Sequence, residues 1–381
     1  MKICAIICEY NPFHNGHLYQ IQEAKRLSGA DALLCVMSGN FVQRGEAAIM
    51  DKFTRAKHAV LAGADAVIEL PTVFATSNAE LFAKGAIHLL SSIPELSTLC
   101  FGAEIADKEL LLKTAELLNN EPKSVSLKIK ELTDKGVSYA KARAEAWAAL
   151  IPLNLLTSPN NILALEYTKA ILERDLPIDI LPIKRLGGEY NDSALKENFS
   201  SATAIRNSIK NGTNLASNLP EFVKKDLPNA LENKLDVMEK YAVLTKTCDE
   251  LKAICDCTEG LENALKKAAQ SDESLVNSLT STRYTSSRIR RIALQSLLKI
   301  DERTIRDSLH SPLYLRVLGV KKARKELLSA LSEANFPLIA RPRDESTLMG
   351  TAQACYAIDI FAEKVYGLLY NRKKEIDIFI D

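Results

Sequence analysis

The stretch Ile3-Cys4-Ala5-Ile6-Ile7-Cys8-Glu9-Tyr10-Asn11-Pro12-Phe13-His14-Asn15-Gly16-His17-Leu18-Tyr19-Gln20 is where the fold is decided. Residues 3–8 form a short apolar run, and from His17 to Ser28 apolar positions recur at helical spacing. A short apolar run leading into an amphipathic helix reads as the opening of a βαβ unit. The charged-then-apolar start also invites a secretory leader. Glu9 and Asn11 interrupt the run, however, and no small-residue cleavage site follows.

The alternation continues outward. Ala32–Met37, Ala66–Leu70 and Leu99–Phe101 are further apolar runs, separated by helical patterns at Asp51–Ala62 and Asn78–Leu90. Residues 105–150 are rich in Leu, Lys, Glu and Ala and read as a helical excursion. Pro177–Leu186 is a fifth strand, placed at an edge or bend by Pro182. Ser200–Lys210 opens on serines and runs on as a helix. Strands alternating with helices predict α/β: a Rossmann-like parallel sheet. Composition shifts across Asn211–Pro228, and beyond it strand signals nearly vanish. Leu231–Ala269, Ser287–Ile300 and Val320–Ala334 read as helices. We therefore expect an α/β domain over 1–215, with a helical insertion around 105–160, followed by a mainly α-helical C-terminal domain over 216–381.

The 381 residues carry a formal net charge of +1, so no global field draws the chain to nucleic acid or to an anionic membrane. No apolar run reaches the ~20 residues of a membrane span. Eight scattered cysteines argue for reduced thiols in a cytosol. Cys255-x-Cys257 lacks a zinc spacing and a nearby histidine.

His14-Asn15-Gly16-His17 falls where the first strand ends and the first helix begins. That is the ligand-binding edge of an open parallel sheet. A helix N-terminus offers N–H groups and a partial positive charge to phosphate. Two imidazoles three residues apart share a face, and there they can donate to charge building on an α-phosphate. Gly16 lets a backbone or an adenine approach closely. The alternative is a zinc pair or a coincidence, and no third ligand lies nearby. Ser38-Gly39-Asn40-Phe41-Val42-Gln43-Arg44-Gly45-Glu46 follows the second strand. It suits a small anionic pocket through Gly39, Asn40 and Arg44, or is a plain turn. Lys52 and Arg55 reach phosphate or pair with Asp51. In Ser200-Ser201-Ala202-Thr203-Ala204-Ile205-Arg206, either serine can cap a helix. The remaining hydroxyls and Arg206 can then grip β- and γ-phosphates. Thr282–Arg291 carries Arg283, Arg288, Arg290 and Arg291 with Tyr284. It is either a phosphate- and base-gripping face or a solvated basic helix. His58, His88 and Trp147 read as packing. No Walker A loop or GxSxG is present, so covalent enzyme catalysis is not indicated.

These blocks resemble the HxGH nucleotidyltransferase superfamily. The longer set resembles the bacterial tRNA(Met) cytidine acetate ligase family: 7–21, 38–71, CFGAE at 100–104, SPNNILALEY at 158–167, PIKRLGGEYND at 182–192, FSSATAIR at 199–206 and TRYTSSRIRR at 282–291. The resemblance implies a ligase that adenylates acetate with ATP, releases pyrophosphate and acetylates N4 of the wobble cytidine of elongator tRNA(Met). It places ATP against Ile7 to Gln20, Gly102, Asn160 or Asn161, and Arg185, with Ser200, Ser201, Thr203 and Arg206 at the phosphate tail. The charge of ATP calls for Mg²⁺ bridging the phosphates, and no protein metal site and no membrane partner are expected. His14, His17 and Arg206 would act on the reaction, and Arg283, Arg288, Arg290 and Arg291 on the tRNA. Two other readings compete. One is a nucleotidyltransferase joining AMP or CMP to a phosphate ester in cofactor synthesis; the other is a non-catalytic RNA-binding protein.

Overall fold

In the computed structural model, residues 1–137, 139–148, 150–186, 199–211, 217–228, 235–370 and 377–381 are described. The expected boundary at 211–228 and the expected helix start at 231 lie partly outside them.

Ten strands occur among the described residues: β1 (Ile3–Cys8), β2 (Ala32–Ser38), β3 (Phe41–Val42), β4 (Glu46–Ala47), β5 (Ala66–Leu70), β6 (Leu96–Ala103), β7 (Asp179–Lys184), β8 (Leu315–Lys321), β9 (Leu338–Ile339) and β10 (Phe379–Ile380). The main sheet runs β10-β8-β5-β2-β1-β6-β7, with β9 beside β8. Only the β5–β8 pairing in it is antiparallel. The first five expected strands thus form one parallel block, with β7 and its Pro182 at the edge, as expected.

β1, β2 and β5 are buried along their whole length, which is why they read as continuous apolar runs. The strand period of two splits them between two cores. Ile3, Ala5, Ile7, Leu34, Val36 and Ile68 face the helices Ala79–Leu90, Pro159–Glu173 and Gly350–Tyr370. Cys4, Ile6, Leu33, Cys35 and Val67 face Asn15–Ser28 and Lys52–Leu61. The expected excursion is four helices between Lys108 and Thr157, closed around buried Trp147. Val243 to Ala293 form a separate small helical core.

The C-terminal part is mainly helical, with one correction. The helix expected over Val320–Ala334 is instead β8, a short turn and the helix Glu326–Ser332. Leu313 to Val320 is a buried apolar run around Gly319, where a side chain would press on Ile380. Its burial on both faces hides the strand period that would have marked it. The helix expected over Leu231–Ala269 is broken into Leu235–Thr245, Cys248–Lys252 and Leu261–Ala268. The last of these follows left-handed turns at Asp256, Glu259 and Gly260.

β8 is locked in place by buried charge. Lys52 on its helix bonds both Glu69 oxygens at 2.6 Å and pairs with Glu363 at 2.5 Å. Arg316 of β8 reaches the same two carboxylates at 3.2 and 2.7 Å. Asp359 accepts from Tyr314 and from the Thr72 N–H at 2.7 Å. Breaking such a cluster by removing one partner leaves a buried charge uncompensated. Lys52→Met is therefore expected to lower unfolding free energy by about 3–5 kcal/mol, read from the urea midpoint at an unchanged m-value.

Candidate active site

The HxGH residues sit at the carboxyl edge of β1, beside the ends of β2 and β6. His14 is the N-cap of Asn15–Ser28; its Nδ1 accepts from the Gly16 N–H at 3.1 Å. His17 Nδ1 accepts from the His14 N–H at 3.3 Å. This is a capping box built from two histidines. With both Nδ1 atoms accepting, the ring proton of each neutral imidazole sits on Nε2. The rings stack at 3.7 Å, and Tyr10 packs on His17 at 4.8 Å. Burial, with Arg185 and Arg206 nearby, lowers His14 to about 3. Burial and the His14 ring drive His17 well below its ordinary value. Both are neutral Nε2–H donors at physiological pH. Gly16 is needed for a reason the sequence did not disclose: a Cβ there would lie 2.9 Å from His14 Cε1. The glycine makes room for the cap itself.

Beneath the loop lies Arg55, which is fully buried. It donates to Met50 O at 2.9 Å, Glu9 O at 2.6 Å, Ser38 O at 3.1 Å and Gly39 O. Lys52 is spent on Glu69 and Glu363, so neither cation reaches the cleft. Gly39 and Asn40, expected at a substrate pocket, are also structural. A side chain at Gly39 would strike Glu69. The Asn40 side-chain oxygen accepts from the Lys52 N–H at 2.8 Å, holding the loop to its helix.

Above the loop lies a cleft with a volume of about 150 Å³. Ile7, Cys8, Glu9, Tyr10, Asn11, His14, His17 and Gln20 line it, with Gly102, Asn160, Arg185, Thr203, Arg206 and Arg44. Pro12, Phe13, Asn15 and Leu18 do not. Phe13 is buried against Phe222, and Asn15 ties the helix start to Ser217 and Asn218. Tyr19, Gly16, Ser200 and Ser201 face a smaller neighbouring cavity.

Asn160 and Asn161 part company. Asn160 lines the cleft, donating to Glu104 at 2.6 Å and accepting from Arg185 at 3.4 Å. Asn161 is fully buried; its oxygen accepts from the N–H groups of Glu104 and Ile105, both at 3.0 Å. Sequence reasoning missed Leu163 and Tyr167 on the cleft wall. With Asn160 they fall at i, i+3 and i+7 of one helix, a spacing that could have found them. It also missed Gln43 and Glu9 as a pair: the Glu9 carboxyl accepts from the Gln43 N–H at 2.7 Å, and burial raises its pKa against that bond and Arg206.

Ser201 is the cap of Ala202–Lys210, accepting from the Ala204 N–H at 3.0 Å. Arg206, one turn on, donates to Asn11 O at 2.8 Å and Thr203 Oγ1 at 3.2 Å. It is thereby fixed to the motif loop, with Glu46 at 4.0 Å.

The C-terminal arginines are less free than the sequence implied. Arg288 bonds Asp256 O at 2.9 Å and Thr258 at 2.8 Å; Arg291 pairs with Asp256 at 3.6 Å. Arg283 is exposed, beside Glu259 and Tyr284. Arg290 pairs with Glu46 at 3.1 Å, across from Arg206. Gly45 makes that contact possible: its φ is +73°, and a Cβ would lie 2.5 Å from the Arg291 N. His58 and His88 keep structural roles, bonding Asp226 and Ser311 O at 2.9 and 2.8 Å.

A family model described as HIGH Nucleotidyl Transferase matches residues 1–378. The tRNA(Met) cytidine acetate ligase of Thermoanaerobacter sp. (strain X514) is 40% identical over 387 residues, 97% of this chain and 96% of the relative. That of Clostridium tetani is 36% identical over 409 residues, 100% and 98% of the two chains. The crystal structure of apo Thermotoga maritima TmcAL superposes with TM-score 0.88 at 31% identity, covering 98% of this chain and 96% of that one. The same protein bound with alpha-thio ATP gives 0.85, covering 98% and 95%. The chain belongs to the HIGH nucleotidyl transferase family and, within it, to the tRNA(Met) cytidine acetate ligases.

Two outcomes follow from the cap. Gly16→Ala is expected to displace His14 and cut nucleotide-dependent turnover by roughly 10²-fold, the scale of one lost transition-state donor, with circular dichroism unchanged. The histidines are neutral when folded but protonate near pH 6.5 when unfolded. The unfolded state therefore binds more protons below that pH, and their contribution to stability falls as pH drops from 6.5 towards 4. Urea midpoints of the parent and a His14→Gln variant across that range test the sign: the parent should lose more.

Proposed function

We propose that this tRNA(Met) cytidine acetate ligase family member joins acetate to AMP at the expense of ATP and passes the acetyl group to N4 of the wobble cytidine of elongator tRNA(Met). An acetate oxygen attacks the α-phosphorus, the α–β phosphoanhydride bond breaks, and pyrophosphate leaves. The amine then attacks the acetyl carbonyl, and AMP leaves as the amide forms.

The observation that carries the reading is the histidine capping box. Nε2–H donors of fixed tautomer at a helix N-terminus suit negative charge developing on an α-phosphate. Being held by backbone groups, they need no reorganisation during the reaction. Arg206, tethered to Asn11 O, would meet the phosphate tail. Asn160 and Tyr167 on one wall and Gly102 on another would frame the adenosine. No group of three His, Cys, Asp or Glu able to hold a metal occurs among the described residues, so a Mg²⁺ ion would be carried by the phosphates of ATP. No described helix is long and apolar enough to cross a membrane, and a cytoplasmic tRNA-modifying role fits the eight free thiols. The mainly helical part beyond 216 would carry the tRNA. Arg283, exposed beside Tyr284, belongs to that face, whereas Arg288 and Arg291 brace it from within.

The test is acetate-dependent ATP–pyrophosphate exchange, followed by mass spectrometry of tRNA incubated with ATP and labelled acetate. The label should appear on one cytidine. His17→Ala should lower exchange by about 10²-fold while weakening ATP far less. Exchange that depends on a phosphate ester in place of acetate would instead identify a cofactor-synthesis transferase. Calorimetry of Arg206→Ala should show ATP weakened and AMP nearly unaffected.

A further inference from the structure

A second groove opens from the cleft, sharing Arg44, Glu46, Thr203 and Arg206 with it. Its volume is about 690 Å³, within the ~300–1,000 Å³ of a ligand pocket and enough to seat one nucleotide. The helices Ala202–Lys210, Leu235–Thr245 and Ser286–Leu298 wall it. Its lining is mixed: Asn207, Asn277, Arg290 and Glu239 share it with Ile49, Leu235, Val276 and Leu369.

Glu239 is the anomaly. It is 4% exposed, and its Oε1 has no hydrogen-bond partner among the described residues. Burial pushes its carboxyl up to about 8, Asp236 adding to the shift and Arg290 opposing it. An unpartnered buried carboxyl weakens a fold, so its presence calls for a reason outside folding. An N–H donor entering the groove would satisfy the oxygen and favour the charged form.

We infer that this groove seats the nucleotide to be acetylated, and that Glu239 accepts a hydrogen bond from the exocyclic amine of its base. This rests on the acetyl-transfer reading above. The N4 amine of cytosine is such a donor and draws Glu239 to its charged form, whereas the O4 of uracil, itself an acceptor, cannot. Arg44, Lys210 and Arg290, the last shared with Glu46, line the groove as cations for the flanking phosphodiesters, and Asn207 and Asn277 supply amides for the remaining base edges. The arrangement also explains why the C-terminal helices press on the β3–β4 turn. The Arg290–Glu46–Arg206 chain places the groove and the nucleotide cleft on two sides of one carboxylate.

The test uses the full chain and anticodon stem-loop RNAs carrying C or U at the reactive position. The parent should bind the C loop more tightly than the U loop by roughly 10-fold or more, the scale of one good base-edge contact. Glu239→Gln should collapse that ratio and slow acetyl transfer by a similar factor. Acetate-dependent pyrophosphate exchange should stay near the parent rate. Glu239→Leu should lose transfer too, yet melt no lower than the parent, because the unpartnered oxygen is gone. A C-to-U ratio kept intact in Glu239→Gln overturns the assignment, as does exchange that falls in step with transfer. The two readings fail separately. Exchange that ignores acetate removes the ligase reading while the loop-binding ratio still judges Glu239, and stem-loops that bind the parent without preference remove the groove while acetate-dependent exchange stands.

Discussion

The site depends on one buried guanidinium. Arg55 gathers carbonyl oxygens from the end of β1, the end of β2, the loop after β2 and the turn before its own helix. Ser38 ends β2, Glu9 and Gly39 directly follow strands, and Met50 precedes the helix Lys52–Leu61. Buried and unpaired, such carbonyls would each cost about 1–3 kcal/mol. A planar fork with five donors can satisfy several at once from a single point, which an ammonium cannot. The motif loop is therefore set from below before any ligand touches it, and the histidines above it are set from the side by their own helix. The edge above β1 is braced through four backbone carbonyls held by one side chain.

Much of this was legible in the chain, and the reasons differ by element. β1, β2, β5 and β7 were readable because alternating helices bracket them and because Pro182 marks an edge. The placing of His14 and His17 was readable because an apolar run leading into a helical pattern puts that motif at the carboxyl edge of the sheet. Gly39, Asn40, Lys52 and Arg55 misled because polar residues in a loop at a sheet edge look alike whether they face a ligand or hold the loop. Only their partners tell them apart, and those lie far off in sequence, on Glu69, Glu363 and β8. Asn160 and Asn161 show the limit at its finest. Adjacent helical residues point about 100° apart, so one faces the cleft and the other the core.

The arginine cluster gives the same lesson from the other direction. Four arginines in nine residues resemble a solvent-facing basic strip. In the fold two are turned inward onto Asp256 and its neighbours, and a third reaches across to Glu46. The run therefore mixes struts with surface charges. The C-terminal helices are thus joined to the nucleotide cleft by a short ionic chain at the Gly45 turn, where only a glycine fits.

The antiparallel strand β8 carries a consequence for how the molecule is made. Until residues 315–321 leave the ribosome, β5 is an open sheet edge. Through that interval Glu69 and Lys52 face each other without Arg316 or Glu363. An apolar strand with an unpaired edge is a template for pairing with other chains. The nascent parallel block is thus in its most association-prone state for the time taken to add the roughly 130 residues between β7 and β8, on the order of 7–26 s at ordinary elongation rates. Pieces cut short of β8 inherit that exposure permanently. The chain protects its parallel sheet late, by returning a strand from its far end.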